Sequence, residues 1–331
     1  MPSPEQSAPG GRAAYLARVL KVYAHRSSGP LSFWYERPEL NERAFGGGRE
    51  FYMRFAGKAA YKGPFDAAGI PLLDYQGDIG RQYNPIAIAQ YGLARFNAWS
   101  RSGDAADRAA WVAVADWLSR EMRPNTYGVR VWMHDFNWPY KQLLRAPWFS
   151  GLAQGNGLSM LVRAATAAND PRYADAAHLA FASLSLAVDR GGVLVTDDRD
   201  DLWIEEYLVD RPSHILNGFM WALWGVHDYA EWSGSAGAAR VRDRCVATLR
   251  TRLPEFDTGW WSLYEVRDQD REMLASRYYH SLHITQLQVM HRLTGHAEFA
   301  DFASRFQGYL DRRSNRAHAF ARKVFFKLRH Y

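Results

Sequence analysis

The 331-residue sequence has a single cysteine and contains no run of 18 apolar residues. Cys245 therefore has no second thiol for an intramolecular disulfide, and cysteine-zinc or CxxC redox chemistry is excluded. The missing apolar run argues against a membrane-spanning helix. The start Met1-Pro2-Ser3-Pro4 lacks the charged and apolar regions of a secretion signal, so we expect a cytosolic protein.

Motifs for phosphate and metal binding are also missing. Gly46-Gly47-Gly48 precedes no strand-to-helix unit with a Lys-Ser/Thr pair, and no GxGxxG opens a helix, so nucleotide binding is not expected. His280 and His283 are spaced to bind zinc from one helix face, but no third ligand accompanies them, which favours a hydrogen-bonded pair. The acidic turn at 197–201 favours a solvated hairpin tip over a calcium or sugar-nucleotide site. We therefore expect no metal and no cofactor.

The charge is distributed unevenly along the chain. The net charge is +6, and seven Lys or Arg with no acid lie in residues 312–331. Phe320, Val324, Phe325 and Leu328 would give that tail one apolar helix face. A solvated last helix packed on the body is favoured over peripheral contact with anionic lipid at the inner membrane face. Because only the tail is basic, a nucleic-acid partner is not expected.

The remaining composition is globular, and its pattern predicts four helical hairpins. Hydrophobic residues make up 47% of the chain and aromatic residues 15%, which suits a thick helical core or a sugar-binding cleft. Helix pairs start near residues 84, 149, 213 and 279, a period of about 65 residues that indicates a repeat architecture. The predicted breaks within the pairs are Ser102-Gly103-Asp104, Asn169-Asp170-Pro171, Ser233-Gly234-Ser235 and Thr294-Gly295-His296.

The short breaks also predict how the helices are arranged. Long helices joined by two or three residues must lie antiparallel, and several such hairpins hide their apolar faces only by stacking around a common axis. We therefore predict a mainly α fold, an α/α toroid (an incomplete α/α barrel), with short β-hairpins between the pairs. The segments between the pairs that have strand or turn character are Tyr127–Trp132, Val193–Thr196 and Trp260–Val266.

We predict three parts along the chain. Residues 1–83 hold a basic helix around Tyr15 to Tyr23 and an irregular segment that packs on the barrel. Residues 84–312 form the barrel, and residues 313–331 form the basic tail. A homodimer is the default expectation for the assembly.

Polar side chains interrupt the apolar runs of the first helix of each pair. Buried amides need partners or a wet cavity, so they indicate either a lined cleft, which we favour, or a core in which they satisfy one another. These residues are Gln90, Tyr91, Gln154, Asn156, Asn217, His280, His283 and Gln286.

Two segments carry most of the possible chemistry. Trp203-Ile204-Glu205-Glu206-Tyr207 places tandem acids beside aromatic residues before the third pair. Tyr264-Glu265-Val266-Arg267 and Tyr279-His280 place phenols, a cation and imidazoles before the fourth pair. Such groups suit proton transfer, because a guanidinium beside a phenol would favour its anion.

In these segments the sequence resembles the C-terminal catalytic domain of D-glucuronyl C5-epimerases, over roughly residues 84–312. This resemblance implies an α/α barrel and the conversion of glucuronate into iduronate in heparosan-type polymers. The stretches that carry the resemblance are Ile88–Leu93, Ala153–Gly157 with Leu161–Ala164, Glu205–Tyr207, Leu216–Met220, and Tyr264–Arg267 with Tyr279–Gln288. Animal members place β-rich domains before the helical one, and the roughly 80 residues before Asn84 are too few for them, so we expect substrate contacts from such domains to be absent.

The resemblance implies an isomerase that inverts C5 by two-sided proton transfer, without a cofactor, on an acidic polysaccharide. Glu206 and Tyr279 are implied as the acid/base pair, with Tyr264 next, Tyr207 positioning, and Arg267 neutralising the carboxylate or lowering a tyrosine pKa. The implied substrate-binding residues are Gln154, Asn156, Asn217, His280, His283, Tyr83, Gln90 and Trp148.

Three other functions fit parts of this pattern. A polysaccharide lyase starts with the same C5 proton abstraction. An inverting glycoside hydrolase would use Glu206 with Asp257 or Glu265. A catalytically silent sugar-binding subunit would need only the cleft.

Overall fold

The computed structural model describes residues 33–47, 49–75, 77–267 and 272–330, with only the backbone course for 324–330. The predicted basic helix around Tyr15 to Tyr23, and the side chains of Val324, Phe325 and Leu328 in the tail, lie outside the described part. Within that part, no helix is long and apolar enough to cross a membrane.

Within the described residues, eight long helices form four consecutive pairs, as the period predicts. The pairs are α2 (Pro85–Ser102) with α3 (Ala105–Arg120), α4 (Gly151–Ala168) with α5 (Pro171–Ser183), α6 (Leu216–Ser233) with α7 (Ala236–Arg252), and α8 (Arg277–Thr294) with α9 (Ala297–Asp311). The helical turn α1 (Ala56–Ala59) lies before these pairs and α10 (Arg313–His330) after them.

The four predicted breaks are confirmed, and each has a local cause. The first helix of every pair ends at a residue in the left-handed conformation, namely Gly103, Asn169, Gly234 or Gly295. Three of the four second helices begin after a Ser or Asp whose side chain accepts a backbone N–H, whereas the fourth follows His296 without such a bond.

The pairs are arranged as an inner and an outer layer. Helix α4 lies between α2 and α6, and α6 also contacts α8, so the first helices of the pairs are neighbours on the inside. Helices α4 and α6 are buried over most of their length, whereas α3 and α7 bury one face only. This arrangement is the predicted α/α toroid. At Gly155 a side chain would lie 2.3 Å from the Cα atom of Ala222, so the two central backbones are in contact.

Along the part of the chain that the structure describes, four two-stranded antiparallel hairpins lie between the helices. They are β1 (Leu73–Tyr75) with β2 (Gly80–Gln82), β3 (Arg123–Pro124) with β4 (Arg130–Val131), β5 (Trp138–Pro139) with β6 (Leu143–Leu144), and β7 (Leu194–Thr196) with β8 (Leu202–Ile204). The predictions at 127–132 and 193–196 are confirmed by β4 and β7. The segment at 260–266, predicted to have strand or turn character, forms isolated bridges, such as Ile215 with Glu265, and belongs to none of these hairpins.

The segment before α2 packs onto the inner helices. The Phe51 backbone N–H donates to Asn97 in α2 at 2.6 Å, and its ring stacks on Trp221 in α6 at 5.9 Å. Thr285 in α8 donates to the Pro38 carbonyl at 3.5 Å. This segment therefore reaches three inner helices, although it has little regular structure of its own.

The acidic turn between β7 and β8 is held by the protein itself. Asp197 accepts from the backbone of its own turn and from Arg252 at 2.5 Å. Arg252 also binds Asp201 and Glu255. The base of the turn is thus tied to the last turn of α7, while its tip at Asp198 and Asp200 is exposed, as expected of a solvated tip.

Candidate active site

A cavity of about 280 Å³ opens at the N-terminal ends of the four inner helices. One side, the ring wall, consists of inner-helix residues and the loops that lead into them: Asn84, Ile86, Gln90, His134, Phe136, Trp148, Leu152, Glu206, Tyr207, Asn217, Trp221, Tyr278, Tyr279 and Leu282. The other side, the N-terminal wall, consists of residues 34–39 with Met53, Phe55 and Lys58. The volume of the cavity is near the lower end of the range for ligand pockets.

Glu206 reaches this cavity because its neighbour Glu205 fixes the turn after β8. The Glu205 carboxylate accepts the backbone N–H groups of Ser213 and His214 and contacts His214 Nδ1 at 2.5 Å. The Glu205 carbonyl accepts the N–H of Gly151 at the start of α4. Two inner helices are therefore tied to the residue next to Glu206.

The Glu206 carboxyl is 4% exposed, and Oε2 has no hydrogen-bond partner among the described residues. Burial raises its pKa to about 8, Tyr207 opposes the rise with a hydrogen bond, and the charges of Glu205 and Glu265 add to it. A carboxyl with a pKa near 8 exchanges protons readily at physiological pH, which suits a general base or acid.

Tyr279, Tyr264 and Tyr207 gather around this carboxyl. The rings of Tyr264 and Tyr279 meet edge to face with centroids 4.8 Å apart, and Tyr264 offers Tyr279 a hydrogen bond. Burial, followed by the charges of neighbouring groups that include Glu206, holds the pKa of all three phenols well above the usual range. These phenols are therefore protonated at neutral pH and can donate a proton.

The structure does not place Arg267 with the tyrosines. Its guanidinium is 54% exposed and pairs with Glu272, and the residue does not line the cavity. The expectation that this cation lowers a tyrosine pKa is wrong, because burial raises the pKa of Tyr207, Tyr264 and Tyr279 well above the usual range and Arg267 pairs with Glu272 instead.

The predicted binding residues divide between the cavity and the core. Gln90, Asn217 and Trp148 line the cavity. Gln154 is fully buried and bonds the backbone of Trp132 with both ends of its amide, so it fixes the loop after α3. Asn156 is also fully buried and lies outside the cavity.

The histidine pair lies in the core as well. Ser262 Oγ is 2.7 Å from His280 Nδ1 and 2.9 Å from His283 Nδ1, and His280 Nε2 contacts the Phe306 carbonyl. Both imidazoles are fully buried, and burial lowers the pKa of His280 to about 4. The favoured hydrogen-bonded pair is therefore observed, with Ser262 between the rings, and these residues do not line the cavity.

Tyr83 lies on the outer surface. It is 41% exposed, donates to Asp66 at 2.7 Å, and packs beside Trp117. Of the two aromatic residues predicted to bind substrate by stacking, only Trp148 lines the cavity. Trp148 stacks on the buried His134 at 3.9 Å, and Trp138 lines the same region.

The second carboxylates that a hydrolase would need have other partners. Asp257 accepts from Arg305 at 3.1 Å and from Tyr309. Glu265 is bound by Tyr140 and by Lys141 at 3.1 Å. Neither residue lines the cavity that contains Glu206.

Sequence reasoning missed the N-terminal wall. No residue of the segment 34–58 was predicted to belong to the site, yet Trp34, Tyr35, Arg37 and Lys58 line the cavity. The signal that could have found them is the aromatic pair Trp34-Tyr35 followed by charged residues. In the described ranges, no group of three or more His, Cys, Asp or Glu side chains is placed to hold a metal ion.

The sequence profile described as D-glucuronyl C5-epimerase C-terminus matches residues 126–308. An uncharacterized protein of Methanocaldococcus jannaschii is 28% identical over 56% of this chain and 59% of its own length. A D-glucuronyl C5-epimerase of Caenorhabditis elegans is 28% identical over 60% of this chain and 35% of its own. The chain thus spans about a third to three fifths of the length of these curated relatives.

Among solved structures, the unsaturated glucuronyl hydrolase of Bacillus sp. GL1 is 15% identical with a TM-score of 0.46, over 69% of this chain and 61% of that chain. A family 76 glycoside hydrolase from a Bacteroides thetaiotaomicron strain is 14% identical with a TM-score of 0.44, over 70% and 48%. Similarity at this level carries no argument, so the toroid rests on the helix contacts described above.

Proposed function

Since the chain belongs to the D-glucuronyl C5-epimerase C-terminus family, we propose that it inverts C5 of D-glucuronate residues to L-iduronate in a polysaccharide such as heparosan. The proposal depends on one observation above all. Glu206 and Tyr279 line the same cavity, and the charge of Glu206 acts on the Tyr279 phenol. Inversion needs two proton-transfer groups on opposite faces of a sugar ring, and these two come from different turns of the barrel.

The pKa directions assign a role to each group. Glu206, with a pKa near 8, is partly ionised around that pH, and its carboxylate removes the C5 proton. Tyr279, whose pKa is raised well above 10, keeps its proton and donates it to C5 from the other face. The C5 proton ends on Glu206 and the phenolic proton on C5, after which exchange with solvent restores both groups.

Tyr264 and Tyr207 are assigned supporting roles in this proposal. Tyr264 contacts the Tyr279 ring and stabilises the phenolate that forms when Tyr279 loses its proton. Tyr207 donates a hydrogen bond to Glu206, and its ring lies tilted against that of Tyr140 with centroids 4.5 Å apart. The two contacts fix the direction of the Glu206 carboxyl.

Incubation with heparosan in deuterium oxide tests the proposal. Deuterium at C5 in intact chains, together with iduronate signals in the NMR spectrum, is the expected result. Unsaturated ultraviolet-absorbing ends would indicate a lyase, new reducing ends a hydrolase, and unchanged polymer a binding subunit. Any of these three results on heparosan would contradict the proposal for that substrate.

The matched variants are Tyr279→Phe and Tyr173→Phe. Tyr279→Phe removes a general acid, so turnover should fall by about 100-fold or more. Tyr173 bonds Asp116 at 2.9 Å on the outer helices and does not line the cavity, so its variant should keep near-normal turnover. Near-normal turnover of Tyr279→Phe would reject the assignment.

The remaining expectations stay proposals. An acidic polysaccharide is the proposed partner, and the proposed assembly is a homodimer. The proposed location is cytosolic, with peripheral contact at the inner membrane face as the alternative to a packed tail. In the described part of the tail, Lys323 donates to the Leu274 carbonyl at 2.8 Å, and Asn315 donates to the Trp260 carbonyl. These bonds favour a tail that packs on the body.

A further inference from the structure

The N-terminal wall contains a buried cation that the mechanism above does not use. Lys58 in α1 is 2% exposed, yet it lines the cavity that contains Glu206 and Tyr279. Removing an ammonium group from water costs free energy unless the charge is compensated. The buried charge of Lys58 therefore needs a partner that compensates it.

The protein compensates this charge incompletely. Nζ donates to the Phe33 carbonyl at 2.5 Å and lies 4.2 Å from the centre of the Phe33 ring and 5.2 Å from that of Phe55. An ammonium group has three donors, and one carbonyl uses only one of them. In the part of the chain that the structure describes, no carboxylate is within salt-bridge distance of Lys58.

The nearby acids are engaged elsewhere. Glu36 binds the backbone N–H groups of Gly57 and Lys58, which fixes α1, and its charge acts on Lys58 only from a distance. Glu39 pairs with Arg54 at 3.2 Å. Burial lowers the pKa of Lys58 to about 8, so the group still carries most of its charge at neutral pH.

We propose that Lys58 binds the carboxylate of the sugar acid that occupies the cavity, and so takes the part that the resemblance assigned to Arg267. This inference rests on the proposed function, because it needs an anionic substrate. A carboxylate would accept the donors of Nζ that Phe33 does not use, and the apolar rings of Phe33 and Phe55 strengthen the pair by excluding water. Arg37, the other cation of the wall, is exposed at the rim.

The same contact serves the reaction. Loss of the C5 proton moves charge onto the carboxylate as an enediolate forms, and a fixed cation beside that group stabilises the product of proton abstraction. Lys58 thus acts on the carboxylate from the N-terminal wall, while Glu206 and Tyr279 act on C5 from the ring wall. The site is incomplete without residues that lie before the barrel.

A binding comparison tests the inference without relying on turnover. The probes are a heparosan hexasaccharide and the same hexasaccharide with its carboxylates reduced to neutral hydroxymethyl groups, each titrated by calorimetry. Wild-type protein should prefer the acidic form. In Lys58→Met the preference should fall by about 10- to 100-fold, the usual effect of a hydrogen bond to a charged group.

Two variants control for packing. Lys62→Met removes an exposed lysine four residues away and should keep the wild-type preference. Lys58→Arg retains the charge and should restore part of it. If Lys58→Met does not fold, Lys58→Gln, which can still donate to the Phe33 carbonyl, gives the same comparison.

The outcomes separate the two proposals. If wild-type protein shows no preference for the acidic form, or if Lys58→Met keeps it, the inference about Lys58 is overturned, whatever the result of the exchange experiment. If the preference depends on Lys58 but no deuterium enters C5, the anion site stands and the proposed epimerase activity fails.

Discussion

The two walls of the cavity are held in place in different ways. In the ring wall, Tyr279 lies in the first turn of α8, whereas Glu206 lies in the turn after β8, which Glu205 ties to the segments that begin α4 and α6. These long inner helices bury one another and so hold the turn in place. The N-terminal wall has one helical turn and relies on side chains that reach into the barrel. Regular structure is therefore not required to position a side chain that lines the cavity when buried polar contacts anchor the segment.

The anchor of the N-terminal wall is a network around Arg163 in α4. Arg163 pairs with Asp228 in α6 at 2.6 Å, and Asp228 accepts from Tyr52 at 2.5 Å. Arg163 also donates to the Glu50 carbonyl. The network joins both central helices to the segment that leads to Phe55 and Lys58.

The largest expected effect comes from breaking this anchor. Arg163→Met leaves Asp228 buried without its cation, which should lower the free energy of unfolding by about 3–5 kcal/mol. Urea unfolding measures the loss. Arg172→Met, at a surface pair whose arginine is 68% exposed, should leave the free energy of unfolding nearly unchanged. A loss below about 1 kcal/mol for Arg163→Met would show that the wall does not depend on this pair.

The ring wall should instead gain stability when its acid is neutralised. Burial raises the pKa of Glu206 from 4.5 to about 8, so the folded protein binds this proton more tightly than the unfolded chain. The corresponding stability is fully present below pH 4.5 and is lost as the pH rises to about 8.

Glu206→Gln removes this pH dependence. At pH 9 the variant should be more stable than wild-type protein by up to about 4 kcal/mol, and at pH 4 the difference should nearly vanish. Thermal unfolding at the two pH values measures it. An equal change at both would mean that Glu206 titrates as it does in water.

A smaller effect is expected from moving the same carboxylate. A Cβ atom on Gly218 in α6 would lie 2.1 Å from Glu206 Oε2, so Gly218→Ala should displace the group and lower turnover about 100-fold. Gly308→Ala in α9, where nothing lies within 4 Å, is the matched control and should leave turnover unchanged. Unchanged turnover in Gly218→Ala would separate catalysis from the position of Glu206.

The smallest effect concerns the tuning of Glu206. Tyr207 opposes the rise of its pKa with a hydrogen bond, so Tyr207→Phe should move the acid limb of the pH–rate profile upward by about half a unit to one unit. The ring and its tilted contact with Trp148 are retained. A downward shift would contradict the assignment of Glu206 as the base.

The sequence predicts the ring wall far better than the N-terminal wall. Left-handed helix ends such as Gly103 and Asn169 are local signals, and the period repeats them four times. Gln154 and His280 could not be assigned in the same way. An inner helix has polar groups both toward the cavity and toward the outer layer, and periodicity alone does not separate the two faces.

Lys58 and Arg267 show the remaining limit. The position of Lys58 depends on Phe33 and on a single helical turn, neither of which has a pattern of its own. Arg267 follows a predicted active-site tyrosine closely in sequence, yet its exposed side chain pairs with Glu272. Proximity along the chain indicated an active-site cation, and the course of the loop decided against it.

The exchange of C5 hydrogen in the Tyr279→Phe variant tests the two-sided account most directly. With Glu206 intact on one face, this variant should exchange C5 of glucuronate for solvent deuterium without forming iduronate, whereas Glu206→Gln should not exchange it. Iduronate formed by Tyr279→Phe at the wild-type rate, or rapid exchange of glucuronate by Glu206→Gln, would contradict the claim that these two residues act on opposite faces of one sugar acid.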